Sequence, residues 1–481
     1  SRDTGFNEDY VALILDPYND NRVNLGIGVT SMGSQLDWKH LSSRDDDASW
    51  NILFFSKTQI TDWGYTAELQ IPFSELQFDE KDINKFRLGF IRKSYEKGIA
   101  TLFSDFKTDP SLNCTLCTAD KVLELEGIKK SKRKYFYPYF TANQAGNRDS
   151  GEFKTSNPDL ELGVSGLYDV SAKSFLEFTI NPDFSQVEAD APQIDVNETF
   201  ALRYPEKRTF FLEGLDLLKN TLGTVYTRSI NNPQNALKFI QQNDNSTFLL
   251  LSSIDESSPY QSSSLYRSYL TNAGKSRVTI ARYKKSLPNV SNIGLLVTNR
   301  DYDAGGDSTL LELDGIINFL DYYSLEFDLA QSDSTEPNTN NIDTSDTFSK
   351  YTYELDGESF TGDAHNIRIS RDKDDFFTGI RFKKVSEGFR ADVGYIRQAA
   401  YKEANFWTRK AFRFDSTIRL ISLRASNQNR YDLEGNKVRD RYEYAVRMET
   451  SKNLYLNFET KLDLSETYYQ YNFGKIGRAH V

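Results

Sequence analysis

Residues 453–466 read NLYLNFETKLDLSE. Leu454, Leu456, Phe458, Leu462 and Leu464 stand on one parity, and Asn457, Glu459, Lys461 and Asp463 on the other. Successive side chains of a strand point to opposite faces, so this segment has one apolar and one charged face. Such a strand suits a boundary between lipid and a polar lumen. The same alternation recurs in LEFTIN (176–181), where Leu176, Phe178 and Ile180 oppose Glu177, Thr179 and Asn181. It recurs again in SLEFDLAQ (324–331) and YEYAVRMET (442–450). A soluble sandwich shares this period. Charge on nearly every opposite face, the strand lengths and the tyrosines near strand ends favour a transmembrane barrel, in which tyrosine forms an interfacial girdle.

Composition agrees with that reading. The chain has 481 residues, 38% hydrophobic and 14% aromatic, which leaves room for more than one domain. It has no apolar run of about 18 residues, hence no transmembrane helix, and a barrel needs none. A net charge of -11 argues against a nucleic-acid partner. The one basic cluster, KKSKRK at 129–134, reads as a solvated linker between domains. Cys114 and Cys117 are the only cysteines, and they point to a local disulfide rather than a zinc site or redox motif. Three histidines supply no metal centre or triad. No cofactor is expected; Asp45, Asp46 and Asp47 offer carboxylates for a structural calcium, but a plain charged loop is the favoured reading. The chain does not begin with Met, and its tail IGRAHV (476–481) reads as translated sequencing adapter, so a fragment cut at both ends is expected.

Connection lengths orient the strands. Short links are expected near 169–173, 320–323, 371–375, 415–416 and 451–453, and longer polar ones near 254–275, 300–308, 332–363 and 427–440. Transmembrane barrels put short turns on the periplasmic side and long loops outside. To keep that phase, 386–401 must be a long loop, although GFRADVGYI within it could pass for a strand. The same phase places Lys134 at the periplasmic end.

One stretch breaks the alternation: NPDFSQVEADAPQIDVNETFALRYPEKRTFFLEG, residues 181–214. It mixes carboxylates, cations and four phenylalanines, Phe184, Phe200, Phe210 and Phe211. Buried charge is tolerated only when paired, so the stretch is expected to fold into the lumen against a polar wall. Arg203, Glu206, Lys207, Arg208 and Glu213 form the expected lumen network.

NPDFSQVEAD (181–190) and PEKRTFFLEG (205–214) together resemble the motif pair of an outer-membrane barrel family of unknown function. YTR (226–228), SNIGLLVTNRDYDAGG (291–306) and GFRADVGYI (388–396) resemble the same family. Upstream, DWGYTAELQIPFSELQF (62–78) is similar to family 9 carbohydrate-binding modules. The expected architecture is all-β: residues 1–128 as the later part of a carbohydrate-binding-like β-sandwich, 129–475 as an antiparallel outer-membrane barrel, and 476–481 as the tail. The resemblance implies the outer membrane of a Gram-negative bacterium, with the first domain periplasmic.

Sugars stack on flat aromatics and need planar polar partners, which singles out Trp38, Trp50, Trp63, Arg44 and Asn51 as ligand candidates, each weighed against simple packing. Asp183, Glu188 and Asp190 are the carboxylates of a hydrolytic alternative, although salt bridges to Arg203, Lys207 and Arg208 explain them more simply. The leading expectation is glycan binding or uptake, with oligosaccharide or polysaccharide and outer-membrane lipid as partners and a partner lipoprotein left open. A glycoside hydrolase and a non-transporting surface scaffold are the alternatives.

Overall fold

The computed structural model describes the chain apart from residues 1–4, 21–22, 42–45, 49, 79, 97–98, 108–114, 145, 150–151, 183–202, 244, 321, 340–346, 349, 374, 452–454, 468–469, 472–473, 476–478 and 481. The chain is all-β, as its alternation requires.

The first strands are β1 (Tyr10–Asp16), β2 (Val23–Thr30), β3 (Gln35–Leu41), β4 (Asp46–Asp47), β5 (Phe55–Thr61), β6 (Gly64–Gln70), β7 (Ile83–Glu96), β8 (Ile99–Ser104) and β9 (Val122–Glu126). They make a seven-stranded sheet in the order β4-β3-β2-β1-β7-β8, with β9 also on β7, and a separate β5–β6 hairpin. Strand β1 is central and apolar on both faces. Leu15 joins Leu25, Ile27, Phe86, Trp50, Phe54 and Phe78 on one side. Ile14 joins Tyr10, Leu36, Trp38, Phe106 and Leu116 on the other. The layer over the first face is built largely from non-strand residues around Trp50 and Phe78, where a β-sandwich would have a second sheet. Cys117 is disulfide-bonded.

The second sheet has sixteen strands. Its members run from β10 (Lys134–Asn143) through β13 (Asp159–Ser171), β14 (Ser174–Ile180), β15 (Pro233–Gln242), β16 (Ser246–Asp255), β19 (Ser276–Leu287), β20 (Ser291–Tyr302), β21 (Asp307–Phe319) and β22 (Tyr323–Thr335). It continues through β25 (Ser359–Lys373), β26 (Phe376–Val385), β27 (Tyr401–Arg413), β28 (Ile418–Asp432), β29 (Lys437–Thr450) and β30 (Tyr455–Thr467) to the short pair Ala479–His480. The loops carry small hairpins of their own: β11 (Gly146–Asp149) with β12 (Glu152–Thr155), β17 (Pro259–Ser263) with β18 (Ser268–Asn272), and β23 (Thr347–Phe348) with β24 (Tyr351–Thr352). Every strand of the large sheet pairs antiparallel with its neighbour in this order, and among the described residues no pairing joins β10 to β30.

Short and long connections alternate along most of the sheet, but the link expected to be long at 300–308 is a tight turn, since β20 runs to Tyr302 and β21 restarts at Asp307. All five expected short links join consecutive strands with few residues between them, as do the links after Gln242 and Leu287, which the sequence did not single out, at the same end. Residues 386–400 contain no strand, as the phase argument requires of GFRADVGYI. The expected long loop at 427–440 is instead a tight turn: β28 runs to Asp432 and β29 restarts at Lys437, because polar side chains here line a strand face rather than a loop. The basic cluster at 129–134 is a solvated linker only in part: Lys129, Ser131, Lys132 and Lys134 are exposed, while Lys130 and Arg133 are anchored. Lys130 is buried with its Nζ on Gln77 Oε1 at 2.9 Å, and Arg133 is clamped to Asp169 at 3.1 Å. Burial lowers the Lys130 pKa to about 8 against the pull of Asp169.

The two faces of the large sheet differ as the alternation demands. Leu311 and Leu313, Ile367 and Ile369, Ile380 and Phe382, and Tyr444 and Val446 are exposed on one face. Their neighbours on the other parity, such as Glu312, Asp328, Arg300 and Asn366, are buried. Residues 203–232 lie against this second face and touch strands from β14 to β22, so the sheet is concave around them.

Candidate functional site

The segment between β14 and β15 leaves and returns at the long-loop end, yet its tip reaches the short-turn end. Two single-turn helices, α1 (Thr209–Leu212) and α2 (Leu215–Leu218), form that tip. Gly214 joins them at φ 79°, where a Cβ would come within 2.6 Å of Ile240. Phe210, Phe211, Leu218, Val225 and Ile230 pack on Phe175, Ile240, Leu249, Leu251, Val278, Ile280 and Leu296 of the wall. This apolar seam fixes the segment to the concave face of the large sheet.

Polar contacts complete it. The Arg208 guanidinium is 1% exposed and holds Glu206 through Nε at 2.9 Å and Nη2 at 2.7 Å. Its remaining donors reach the carbonyls of Ile230 at 2.6 Å and Thr227 at 3.0 Å. Burial pushes the Glu206 carboxyl up, but the Arg208 hydrogen bonds and charge and the Thr227 hydroxyl outweigh it and leave the pKa lowered. The Lys207 amide donates to Glu206 at 3.0 Å. Arg203 lies over the rings of Tyr226 at 5.5 Å and Tyr395 at 5.8 Å. Glu213 faces Lys39 of the first sheet at 3.9 Å.

Several partners come from the wall and carry no motif. Lys238 donates to the carbonyls of Phe210 and Glu213 and pairs with Glu177 at 2.7 Å. Arg282 holds the Leu217 carbonyl at 2.9 Å and pairs with Asp314. Thr221 donates to Glu326 at 2.8 Å, and Asn220 and Thr224 both donate to Glu312. A signal for them exists in the sequence, since each occupies the parity opposite an apolar neighbour. The loop at 386–400 caps the segment from above: the Val393 carbonyl accepts from Tyr226 N–H at 2.8 Å and from Ser229 at 3.0 Å. Asp392 accepts from Tyr302 at 2.9 Å, and burial raises its pKa.

A cavity of about 530 Å³ remains between the tip and the wall, lined by Asp216, Lys219, Thr221, Lys284, Asp314, Glu326, Asp328 and Arg368 among others. A smaller one, about 120 Å³, sits where the first sheet meets the tip and brings Trp50 and Asn51 together with Lys39, Glu75, Arg133 and Glu213. The other ligand candidates are elsewhere. Trp38 is buried in the opposite cluster, with Nε1 on His40 at 2.8 Å, and Trp63 is 78% exposed at the β5–β6 tip rather than closing a core. Arg44 lies outside the described residues, as do Asp183, Glu188 and Asp190. Asp47, weighed as a calcium ligand, is buried and pairs with Lys219 at 3.3 Å.

Among the described residues one group of carboxylates converges, Glu336, Asp356 and Glu358 in the loop after β22. Glu336 accepts the amides of Asp356 at 3.1 Å and Glu358 at 3.3 Å. Its burial raises its pKa to about 8 despite those donors.

A search of curated proteins gives no match. Among solved structures, the chain is similar to Pseudomonas aeruginosa OccK11 (OpdR), with 9% identity over 95% of this chain and 91% of that one and a TM-score of 0.33. It is also similar to Acinetobacter baumannii OccAB1, with 7% identity over 95% and 88% and a TM-score of 0.34. Residues 131–252, which span β10 to β16 and the lumen segment, match the family described as "Domain of unknown function (DUF5916)".

Proposed function

We propose that the chain is an outer-membrane β-barrel protein whose lumen is lined on one side by the folded-in segment 203–232 and conducts small solutes along the other. The observation that carries this reading is the exposed apolar face of the large sheet, repeated from Phe136 and Phe140 on β10 to Phe458 and Leu462 on β30. A contiguous apolar surface of that extent is not stable in water, whereas lipid requires it of a barrel exterior. Exposed Tyr168, Tyr283 and Tyr323 near the short-turn ends suit an interfacial girdle. In lipid the edges of β10 and β30, the latter paired only at its end with Ala479–His480, must be joined, because open edges are not tolerated there. The first sheet then sits at the short-turn, periplasmic end, where Tyr135 donates to Glu75 at 2.6 Å.

Planar-bilayer recording on the protein refolded into lipid tests the channel. Discrete conductance steps support it. A barrel that inserts but stays silent favours the scaffold reading, which the close fit of residues 203–232 to the wall also supports. Carbohydrate handling is the finer form of the proposal. Its support is the grouping of the Trp50 ring, the Asn51 amide and the Glu75 and Glu213 carboxylates around one cavity. Sugar-dependent current block weakened by Trp50→Ala would bear this out, release of reducing ends would point to a hydrolase, and neither would leave the solute class to other chemistry.

A further inference from the structure

The wall opposite the packed segment has a different chemistry. On β25 to β29 the inward parity carries Arg368, Arg381, Arg409, Arg413, Arg424 and Arg447. Three of the cross-strand partnerships are arginine against arginine: Arg368 stands opposite Arg381, Arg409 opposite Arg424, and Arg430 opposite Arg439, the last with a carboxylate on each member. Like charges directly opposed destabilise a strand pair, and this chain is acidic overall, at -11. The concentration is therefore local and opposed by its own electrostatics.

The carboxylates of this wall are already engaged. Glu326 pairs with Arg368 at 3.2 Å, Glu403 with Arg430 at 2.6 Å and Asp463 with Arg439 and Arg441. Glu449 faces Arg447 at 3.8 Å, and Glu443 lies 3.9 Å from Lys461. Glu459 acts on Arg424 through space but is itself held by Lys461 at 2.8 Å. Among the described residues, Arg381, Arg409, Arg413 and Arg424 have no carboxylate at ion-pair distance. The Nε atoms of Arg368, Arg381 and Arg409 are shielded from solvent with no hydrogen-bond partner, so three guanidinium edges have unused donors. Two open cavities follow the wall, about 330 Å³ beside Arg381, Trp407 and Gln428 and about 450 Å³ beside Arg409, Arg424 and Arg447. The Trp407 ring, 5.0 Å from the Arg368 guanidinium, adds an apolar flat to the upper cavity.

We propose that this arginine wall is a binding surface for small organic carboxylates. The guanidinium fork matches a carboxylate through paired N–H donors, the bound anion relieves the opposed charges, and Trp407 gives the organic part a surface that inorganic phosphate would not use. The proposal rests on the outer-membrane channel reading for the route of entry, but binding to the wall does not require conduction.

The test uses benzoate, with inorganic phosphate as the control anion, on the wild type and on Arg409→Gln/Arg424→Gln. In bilayers under a KCl gradient, the wild type is expected to be anion-selective and blocked by millimolar benzoate. The double variant should shift the reversal potential towards cations and need at least tenfold more benzoate for the same block, and phosphate should be the weaker blocker of the wild type. Calorimetric titration of benzoate into detergent-solubilised protein is the independent arm. A silent barrel that still binds benzoate through these arginines removes the channel reading and keeps the site. A conducting barrel with unchanged selectivity and no benzoate effect in either arm overturns the site, as does equal binding by wild type and variant. Removing one opposed arginine pair should leave the unfolding midpoint unchanged or raise it, which separates loss of binding from loss of fold.

Discussion

Arg208 is the residue on which the lumen segment turns. Its guanidinium is enclosed with one carboxylate and the backbone carbonyls of Thr227, Ile230 and Asn231. Removing one partner of a buried pair strands the other, at about 3–5 kcal/mol, so Arg208→Ala should lower the unfolding free energy by about that much, measured by denaturant titration. The pH dependence follows from Glu206. Its folded pKa is below the ordinary value, so the contribution is present above about 4.5 and is lost as pH falls through the depressed value. Glu336 works in the opposite direction. Burial raises its pKa to about 8, so keeping its charge costs stability progressively from about pH 4.5 upward to that value. Glu336→Gln should therefore stabilise the protein relative to wild type at pH 8 and make no difference near pH 4, read from melting temperatures at both. The sequence exposes Glu206 and Arg208 as charges among aromatics. It cannot name the carbonyls of Thr227 and Ile230, which become partners only when the chain folds back on itself.

At the scale of elements, the tip is held from three directions. Lys39 of β3 reaches Asp216 at 3.6 Å and Glu213 at 3.9 Å, and Lys219 reaches Asp47 at 3.3 Å. Burial lowers the Lys39 pKa, but Asp216, Glu213 and Asp47 together outweigh it and leave it raised. Its contribution is thus complete below the unfolded value near 10.4 and is lost as pH rises through the folded value. Lys39→Gln should loosen the tip and speed tryptic cleavage after Lys219, with the rest of the chain intact. Gly214→Ala should be harsher than its size suggests, because the site needs φ 79° and has Ile240 at 2.6 Å. A loss of about 1–3 kcal/mol is expected, seen as a lower unfolding midpoint. Strand existence was legible here because period two survives inspection of LEFTIN or SLEFDLAQ. Loop extent was less so. GFRADVGYI alternates like a strand, yet Phe389 and Val393 point into the lumen cores while the Val393 carbonyl is taken by the lumen segment. Residues 427–440 look like a loop because both faces of β28 and β29 turn polar beyond the apolar zone.

Across the whole molecule, one physical division accounts for most of the fold: apolar side chains on one face of the large sheet, charge on the other, and that charged face divided between a packed wall at β14 to β22 and an arginine wall at β25 to β29. The first half of that division is readable from parity alone. The second is not, because the sequence assigns arginines to the inside without saying which walls the insertion will cover. The most direct test of the central claim is a nitroxide scan along β29, from Arg441 to Glu449, in liposomes, measuring collision with oxygen and with a water-soluble nickel chelate. Oxygen accessibility should peak at Tyr442, Tyr444, Val446 and Met448, and nickel accessibility at Arg441, Glu443, Ala445, Arg447 and Glu449. Equal nickel access on both parities, or the opposite phase, would contradict a lipid-facing exterior and with it the account of this chain as an outer-membrane barrel.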